Sequence, residues 1–126
     1  MEEKKSESNN YKSILVVEDN KEIQDSLKVA LEVEGYNVFT ADNGKDGLDK
    51  LSKIPTPCMI LLDLMMPVMN GWEFVEELSK DIMLSTIPVV VVSAFGDKKG
   101  TPKTQGYIQK PIDLDALLTT VSKHCG

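Results

Sequence analysis

The chain has 126 residues, of which 41% are hydrophobic and 27% charged, and its formal net charge is −6. This length predicts one domain that buries its own core and needs no disulfide or structural metal to fold. The acidic balance argues against a nucleic-acid partner, and no apolar stretch approaches the roughly 18 residues of a membrane span, so we expect no membrane association either.

The N-terminal segment 1–10 is polar and lacks the apolar core of a signal peptide. We therefore expect a disordered polar tail, followed by one folded domain over 11–126. Within that domain, strand-like and helix-like segments alternate. Short apolar runs predict five strands, at 14–17, 36–41, 59–62, 89–92 and 107–109.

Apolar residues at helical spacing predict a helix after each of the first three strands and after the fifth. These helices begin at Asn20, Asn43, Asn70 and Asp113. The third helix is expected to bury Trp72, Val75 and Leu78, with Phe74 beside them. The last helix is expected to bury Leu114, Leu117, Leu118 and Val121.

The two cysteines, Cys58 and Cys125, lie far apart and lack the spacing of a metal site. We predict that Cys58 is a small buried hydrophobe at the start of a strand and that Cys125 is exposed at a fraying helix end. Unpaired cysteines favour a reducing, cytoplasmic setting.

Strands that alternate with helices pair in parallel through right-handed crossovers, which predicts an α/β fold with a doubly wound sheet. Such sheets bind ligands beyond the C-terminal ends of their strands. The residues at those predicted ends are Glu18, Asp19, Asp63, Ser93 and Lys110. Several carboxylates at such short distances repel one another when all are ionised, unless a cation lies among them. The pattern therefore predicts a divalent-metal and phosphoryl site.

Mg2+ prefers oxygen ligands and keeps several waters. Asp19 and Asp63 can ligate it directly, and the longer Glu18 can reach it through a water. A carboxylate also accepts phosphoryl groups, and the Lys110 ammonium can pair with the phosphoryl oxygens. The Ser93 hydroxyl can donate a hydrogen bond to a phosphoryl group once it is present.

In chain order, the segments VVED, LLDLMMP, the Asn70-Gly71 turn, VVVVSA and GYIQKP resemble the receiver domain of two-component response regulators, over residues 13–124. The chain looks like a stand-alone, chemotaxis-regulator-like member. The resemblance implies a flavodoxin-like sheet of five parallel strands in the order 2-1-3-4-5. It also implies phosphorelay signalling in the cytoplasm and no external enzymatic product, because the domain catalyses only its own phosphorylation and dephosphorylation.

The resemblance implies that Asp63 is the phosphoacceptor and that a histidine kinase or histidine phosphotransfer protein is the donor. Asp19 would be the main Mg2+ ligand, Glu18 would assist, and the main-chain carbonyl of Met65 would complete the protein ligands. The downstream partner is a protein that the sequence does not identify.

By the same resemblance, Ser93 would be the switch hydroxyl and Lys110 would pair with the phosphoryl group. Tyr107 would be the aromatic residue that moves inward on activation. The bond before Pro111 would be cis, a form that is tolerated almost only before proline.

The segment 94–106 departs from the family, which places a fourth helix there. It contains three glycines and one proline, and only Ala94 and Phe95 are apolar. No helical stripe can be drawn through it, so we predict that this helix is missing or very short and that a basic loop replaces it.

Met65 and Phe95 lie two residues after Asp63 and Ser93 respectively. Neither side chain can hold an attacking water, so we predict a long-lived phosphoryl state.

Two alternatives remain open from the sequence. The first is a Mg2+-dependent phosphohydrolase with Asp63 as nucleophile, although Met65 stands where such enzymes often place a second acid. The second is a receiver-like interaction module that is never phosphorylated. A flavin-binding domain is more distant, since no phosphate-cradling loop follows the first strand.

Overall fold

The computed structural model of the protein describes residues 12–94 and 104–126. Within them, one sheet contains the strands β1 (Ser13–Val17), β2 (Asn37–Ala41), β3 (Met59–Leu62), β4 (Val89–Ser93) and β5 (Gly106–Gln109). The helices are α1 (Lys21–Val33), α2 (Gly44–Leu51), α3 (Gly71–Ser79) and α4 (Leu114–Cys125), with a short 3-10 helix at Leu84–Thr86. All strand pairs are parallel and their order is β2-β1-β3-β4-β5, which confirms the predicted doubly wound sheet.

Two predictions fall wholly or mostly beyond these residues. The polar tail 1–10 lies outside the described residues, and so do positions 95–103 of the segment in which we predicted a missing or very short helix. Among the helices that the structure does describe, none is long and apolar enough to cross a bilayer.

The sheet separates two layers of core because successive side chains of a strand point to opposite faces. On β1, Ile14 and Val16 pack into one cluster with α1 and α4. Leu15 and Val17 pack into the other, with α2 and α3. Helices on both faces explain why the central strands are continuous apolar runs rather than alternating ones.

Local signals at the helix ends were accurate in most places. Asn20 and Asn43 accept hydrogen bonds from the main chain of their helices, and Asn70 forms a complete capping box with Glu73. Asp113 is the N-cap residue of α4, but its side chain makes no capping hydrogen bond.

The predicted buried faces of two helices need correction. Helix α3 buries Phe74 and Leu78, whereas Trp72 is only half-buried, because the row that faces the sheet is centred on Phe74. Helix α4 buries Leu117, Val121 and Cys125, which follow one another at four-residue spacing. Leu114 is 50% exposed and borders an open groove between α1 and α4.

The predictions for both cysteines were wrong. Cys58 and Cys125 form a disulfide with a Cα–Cα distance of 5.4 Å across a sequence separation of 67 residues. Cys125 is 8% exposed and belongs to the core. Helix α4 brings Cys125 to the edge of the sheet at which β3 begins, and this meeting is a product of the crossover topology that sequence spacing does not reveal.

Candidate functional site

Parallel pairing brings the charged strand ends to one edge of the sheet. Val17 of β1 lies in register with Leu62 of β3, and the Asp63 N–H donates a hydrogen bond to the Val17 carbonyl at 2.9 Å. On the neighbouring strands, the Lys110 N–H donates to the Ser93 carbonyl at 2.9 Å. The residues that follow β1, β3, β4 and β5 are therefore neighbours, as the sequence predicted.

Three carboxylates meet at this edge. One oxygen each from Glu18, Asp19 and Asp63 lies within 4.8 Å of the others. The Lys110 ammonium lies 2.9 Å from Glu18 Oε1 and 3.5 Å from Asp63 Oδ1. Glu18 is 2% exposed and Asp63 is 5% exposed, whereas Asp19 faces solvent. The buried ion pair of Glu18 with Lys110 is closer than the contact of Lys110 with the predicted acceptor.

The surroundings of Asp63 in this cluster shift its pKa. Burial, followed by the negative charge of Glu18, raises the pKa of Asp63 to about 6, although the positive charge of Lys110 opposes the shift. Among the residues that the structure describes, the Lys110 ammonium thus does not neutralise the carboxylates by itself. Additional positive charge is the natural complement of such a site.

Gln24 holds the acidic segment after β1 in place, although no role for it was predicted from the sequence. Its side chain is 3% exposed, and Nε2 donates to the Glu18 carbonyl at 2.8 Å and to the Ala41 carbonyl at 3.2 Å. The same nitrogen lies 3.1 Å from Asp42 Oδ1. Gln24 lies three residues before the buried Leu27, on the same face of α1. A polar residue on this buried face was the signal that the sequence offered.

The N-terminal end of α1 also fixes Glu18. The Asn20 N–H donates to Glu18 Oε2 at 3.1 Å, while the Asn20 side chain accepts from the Ile23 N–H at 3.0 Å. Glu18 therefore has defined partners on both carboxylate oxygens, because its other oxygen contacts Lys110.

Gly71 lets α3 approach the backbone of Asp63. A Cβ at this position would lie 2.6 Å from the Asp63 carbonyl oxygen and 2.8 Å from the Leu64 Cα. The Gly71 N–H donates to the Leu64 carbonyl at 2.9 Å, which ties the start of the helix to the loop that follows Asp63. The sequence marked this glycine as part of a turn but gave no sign of the close approach.

The cluster lines an open cavity of about 520 Å³. Besides the charged residues, Met65, Ser93 and Ala94 border it, with Met65 63% exposed and Ser93 1% exposed. Tyr107 lies on β5 in register with Val91 and is half-buried. The peptide bond between Lys110 and Pro111 is cis, as the resemblance implied.

A second, apolar groove of about 410 Å³ adjoins this cavity. It runs between α1 and the start of α4, and Lys110 and Pro111 form the end that is nearest to the carboxylates. Its walls include Ile23, Leu27 and Ile112.

Comparison with known proteins shows which protein family this chain resembles. Residues 14–122 match the family described as the response regulator receiver domain. The chain is 36% identical to the protein PilH of Pseudomonas aeruginosa over 114 residues, which cover 86% of this chain and 93% of PilH. It is 32% identical to the polar-differentiation response regulator DivK of Brucella anthropi over 120 residues, which cover 91% of this chain and 97% of DivK.

Solved structures agree in fold. The signal receiver domain of a histidine kinase from Syntrophus aciditrophicus superposes with a TM-score of 0.82 at 28% identity, covering 90% of this chain and 89% of that one. The chemotaxis protein CheY4 of Vibrio cholerae superposes with a TM-score of 0.80 at 26% identity, covering 90% of this chain and 98% of CheY4.

Proposed function

The chain belongs to the family of response regulator receiver domains, and we propose that within two-component signalling it is a switch that is phosphorylated on Asp63. Receiver domains are signalling modules that interact with histidine kinases and with downstream effectors. The observation that carries the proposal is the convergence of Glu18, Asp19, Asp63 and Lys110 at one end of the sheet.

Asp63 is the residue best suited to accept the phosphoryl group. It follows the central strand β3 and borders the open cavity, and its backbone is held by hydrogen bonding to β1. In the proposed step, a carboxylate oxygen of Asp63 attacks the phosphorus of a phosphohistidine. An O–P bond forms, the N–P bond breaks, and the imidazole leaves with the electron pair.

The residues fit a bound Mg2+. Their donors are carboxylate oxygens, which a hard cation prefers, and the pKa of Asp63 is raised by burial and then by the negative charge of Glu18, which Lys110 only partly opposes. We propose that Asp19 and Asp63 hold the ion, with the Met65 carbonyl as a further ligand and Glu18 acting through a water. The ion supplies positive charge that offsets the charge on the transferring phosphoryl oxygens.

The remaining site residues have roles after transfer. Lys110 reaches Asp63 already and is placed to pair with a phosphoryl oxygen there. The Ser93 hydroxyl lies at the cavity border and is proposed to donate to the same group, with Tyr107 moving inward on the adjacent strand. Hydrolysis by water would return the carboxylate and release inorganic phosphate, so the chain would catalyse only its own modification.

The apolar groove beside Lys110 gives the phosphoryl donor a place to dock. A histidine kinase or histidine phosphotransfer protein that packs an apolar helix face between α1 and α4 would bring its phosphohistidine to the mouth of the carboxylate cavity. We propose a cytoplasmic location, because histidine kinases draw their phosphoryl group from ATP in that compartment.

Intact-mass analysis after incubation with acetyl phosphate and Mg2+ tests the proposal. The parent should gain about 80 Da, the mass of one phosphoryl group, and Asp63→Asn should gain nothing. Asp25→Asn is the matched control, since Asp25 is an exposed carboxylate on α1 and should leave labelling unchanged. An unlabelled parent, or equal labelling of Asp63→Asn, would contradict phosphorylation at Asp63.

A second arm separates the switch from the competing hydrolase. Incubation with a generic phosphomonoester in Mg2+ should release no more phosphate from the parent than from Asp63→Asn. Multiple turnovers that depend on Asp63 would instead identify a phosphohydrolase.

A further inference from the structure

The phosphoryl transfer proposed above does not use the bond between Cys58 and Cys125. We propose that these two residues form a reversible thiol–disulfide site, oxidised by low-molecular-weight disulfides and reduced by thiols, that anchors the end of α4 to the start of β3. This proposal goes beyond the phosphoacceptor function and does not depend on it.

The two cysteines come from elements that the fold brings together at the sheet edge opposite to the carboxylates. Cys58 precedes β3 directly, and its N–H donates to the Ser13 carbonyl at 2.8 Å, while Cys125 is the last residue of α4. Asp63 follows the other end of β3. The Cα–Cα distance of 5.4 Å lies within the range that a disulfide spans without backbone movement.

We expect the fold to form without this bond. Helix α4 is held on the sheet by Leu117 and Val121, both of which are fully buried in the same cluster as Cys125. A domain of this length can build a sufficient core without covalent links. The reduced protein should therefore remain folded, which is the condition for opening and closing the bond in the native state.

The two cysteine residues differ in exposure, which gives the exchange reaction a direction. Cys58 is half-buried, whereas Cys125 is 8% exposed, so an external thiolate should reach the Cys58 sulfur first. With the bond open, the final turn of α4 would keep its packing and its main-chain hydrogen bonds but lose its covalent link to the start of β3, and that turn should fray.

The chemistry is ordinary thiol–disulfide exchange with a disulfide such as oxidised glutathione. The Cys58 thiolate attacks one glutathione sulfur, a mixed disulfide forms, and one glutathione thiolate leaves. The Cys125 thiolate then attacks the Cys58 sulfur and releases the second glutathione. In total the protein loses two protons and two electrons, and two molecules of glutathione thiol are formed.

The experiment equilibrates native, denaturant-free protein over a series of ratios of reduced to oxidised glutathione, then alkylates the free thiols and measures intact mass. We expect two alkyl groups under reducing conditions and none under oxidising conditions, with no disulfide between two chains. Reduction should lower Tm by about 10 °C, in line with removal of a disulfide that closes a long loop.

Hydrogen exchange locates the change. Reduction should speed exchange in residues 119–126 and leave α1 unchanged. Cys58→Ser and Cys125→Ser should each resemble the reduced parent and ignore the glutathione ratio; if either fails to fold, the reduced parent supplies the same comparison.

Several results would overturn the proposal. These are complete alkylation at every glutathione ratio, a bond that opens only in denaturant, a disulfide between two chains, or equal Tm and exchange in both redox states. Because no phosphoryl donor is present, failure here would leave phosphorylation of Asp63 untouched, and failure of phosphorylation would leave this site untouched.

Discussion

Replacing Asp63 with asparagine should stabilise the metal-free protein. The carboxyl is buried near Glu18, and this setting raises its pKa from 3.8 to about 6. At neutral pH the fold must therefore hold an ionised group in a place that favours the protonated form. Asparagine has nearly the same shape and carries no charge, so the variant removes this cost. Lys110 keeps its ion pair with Glu18.

The magnitude follows from the pKa shift. A rise of about 2 pKa units corresponds to about 3 kcal/mol, since one unit is about 1.4 kcal/mol. Near pH 7.5 the carboxyl is ionised in both folded and unfolded chains, so the full cost applies. Near pH 5 the folded carboxyl is mostly protonated while the unfolded one is still ionised, and the cost falls to about half. The native parent binds more protons than its unfolded chain between these pKa values, so its stability decreases as pH rises through about 6.

Urea denaturation in EDTA measures this difference directly. We expect Asp63→Asn to exceed the parent in free energy of unfolding by about 1–3 kcal/mol near pH 7.5, with a smaller gap near pH 5. Mg2+ should then stabilise the parent more than the variant, because the ion binds the native carboxylates. Asp25→Asn should follow the parent throughout, and all samples need the same disulfide state. A variant that is no more stable than the parent in EDTA near pH 7.5 would refute the assigned electrostatic cost.

Three further predictions concern the loops around Asp63. Gly71→Ala should lower the free energy of unfolding by about 1–3 kcal/mol, because its Cβ meets the Asp63 carbonyl oxygen, and should slow labelling by acetyl phosphate; unchanged stability in urea would contradict the close approach. Val68 has a φ of 68°, which is unfavourable for a residue with a Cβ, and it is 77% exposed. Val68→Gly should therefore raise the free energy of unfolding by about 1 kcal/mol in urea denaturation, whereas Val68→Ala, which keeps a Cβ, should raise it little. The phosphoryl group on Asp63 should be long-lived, and Met65→Asn should shorten its lifetime several-fold by giving water a polar partner in the cavity; loss of label from the parent within seconds would count against this.

The convergence of the charged residues at one edge of the sheet was predictable, because it depends on local pattern and on a general rule of topology. Apolar runs ending in Glu18-Asp19, Asp63 and Lys110 marked strand ends, and parallel pairing obliges such ends to meet. The caps at Asn20 and Asn70 were equally local, since a side chain and the next helical turn decide them.

Contacts between distant segments were not predictable in the same way. Gln24 bridges two strand ends, and Gly71 admits the Asp63 backbone at close range, yet neither position carries a periodic signal for these contacts. Trp72 and Leu114 fit a helical stripe but lie at its margin, because the orientation of a helix on the sheet selects which part of a broad apolar face is buried.

The sequence by itself determined the order of elements, the parallel sheet and the residues at its charged edge, because periodicity and strand ends are local properties of a chain. Only the tertiary structure decided which carboxylate pairs with Lys110 and which has a shifted pKa. Glu18 is buried against Lys110, and the pKa of Asp63 is raised. The tertiary structure also decided that Cys58 and Cys125 meet. The physical reason is the same in both cases: burial and distance between side chains remote in sequence are fixed only when the helices pack on the sheet.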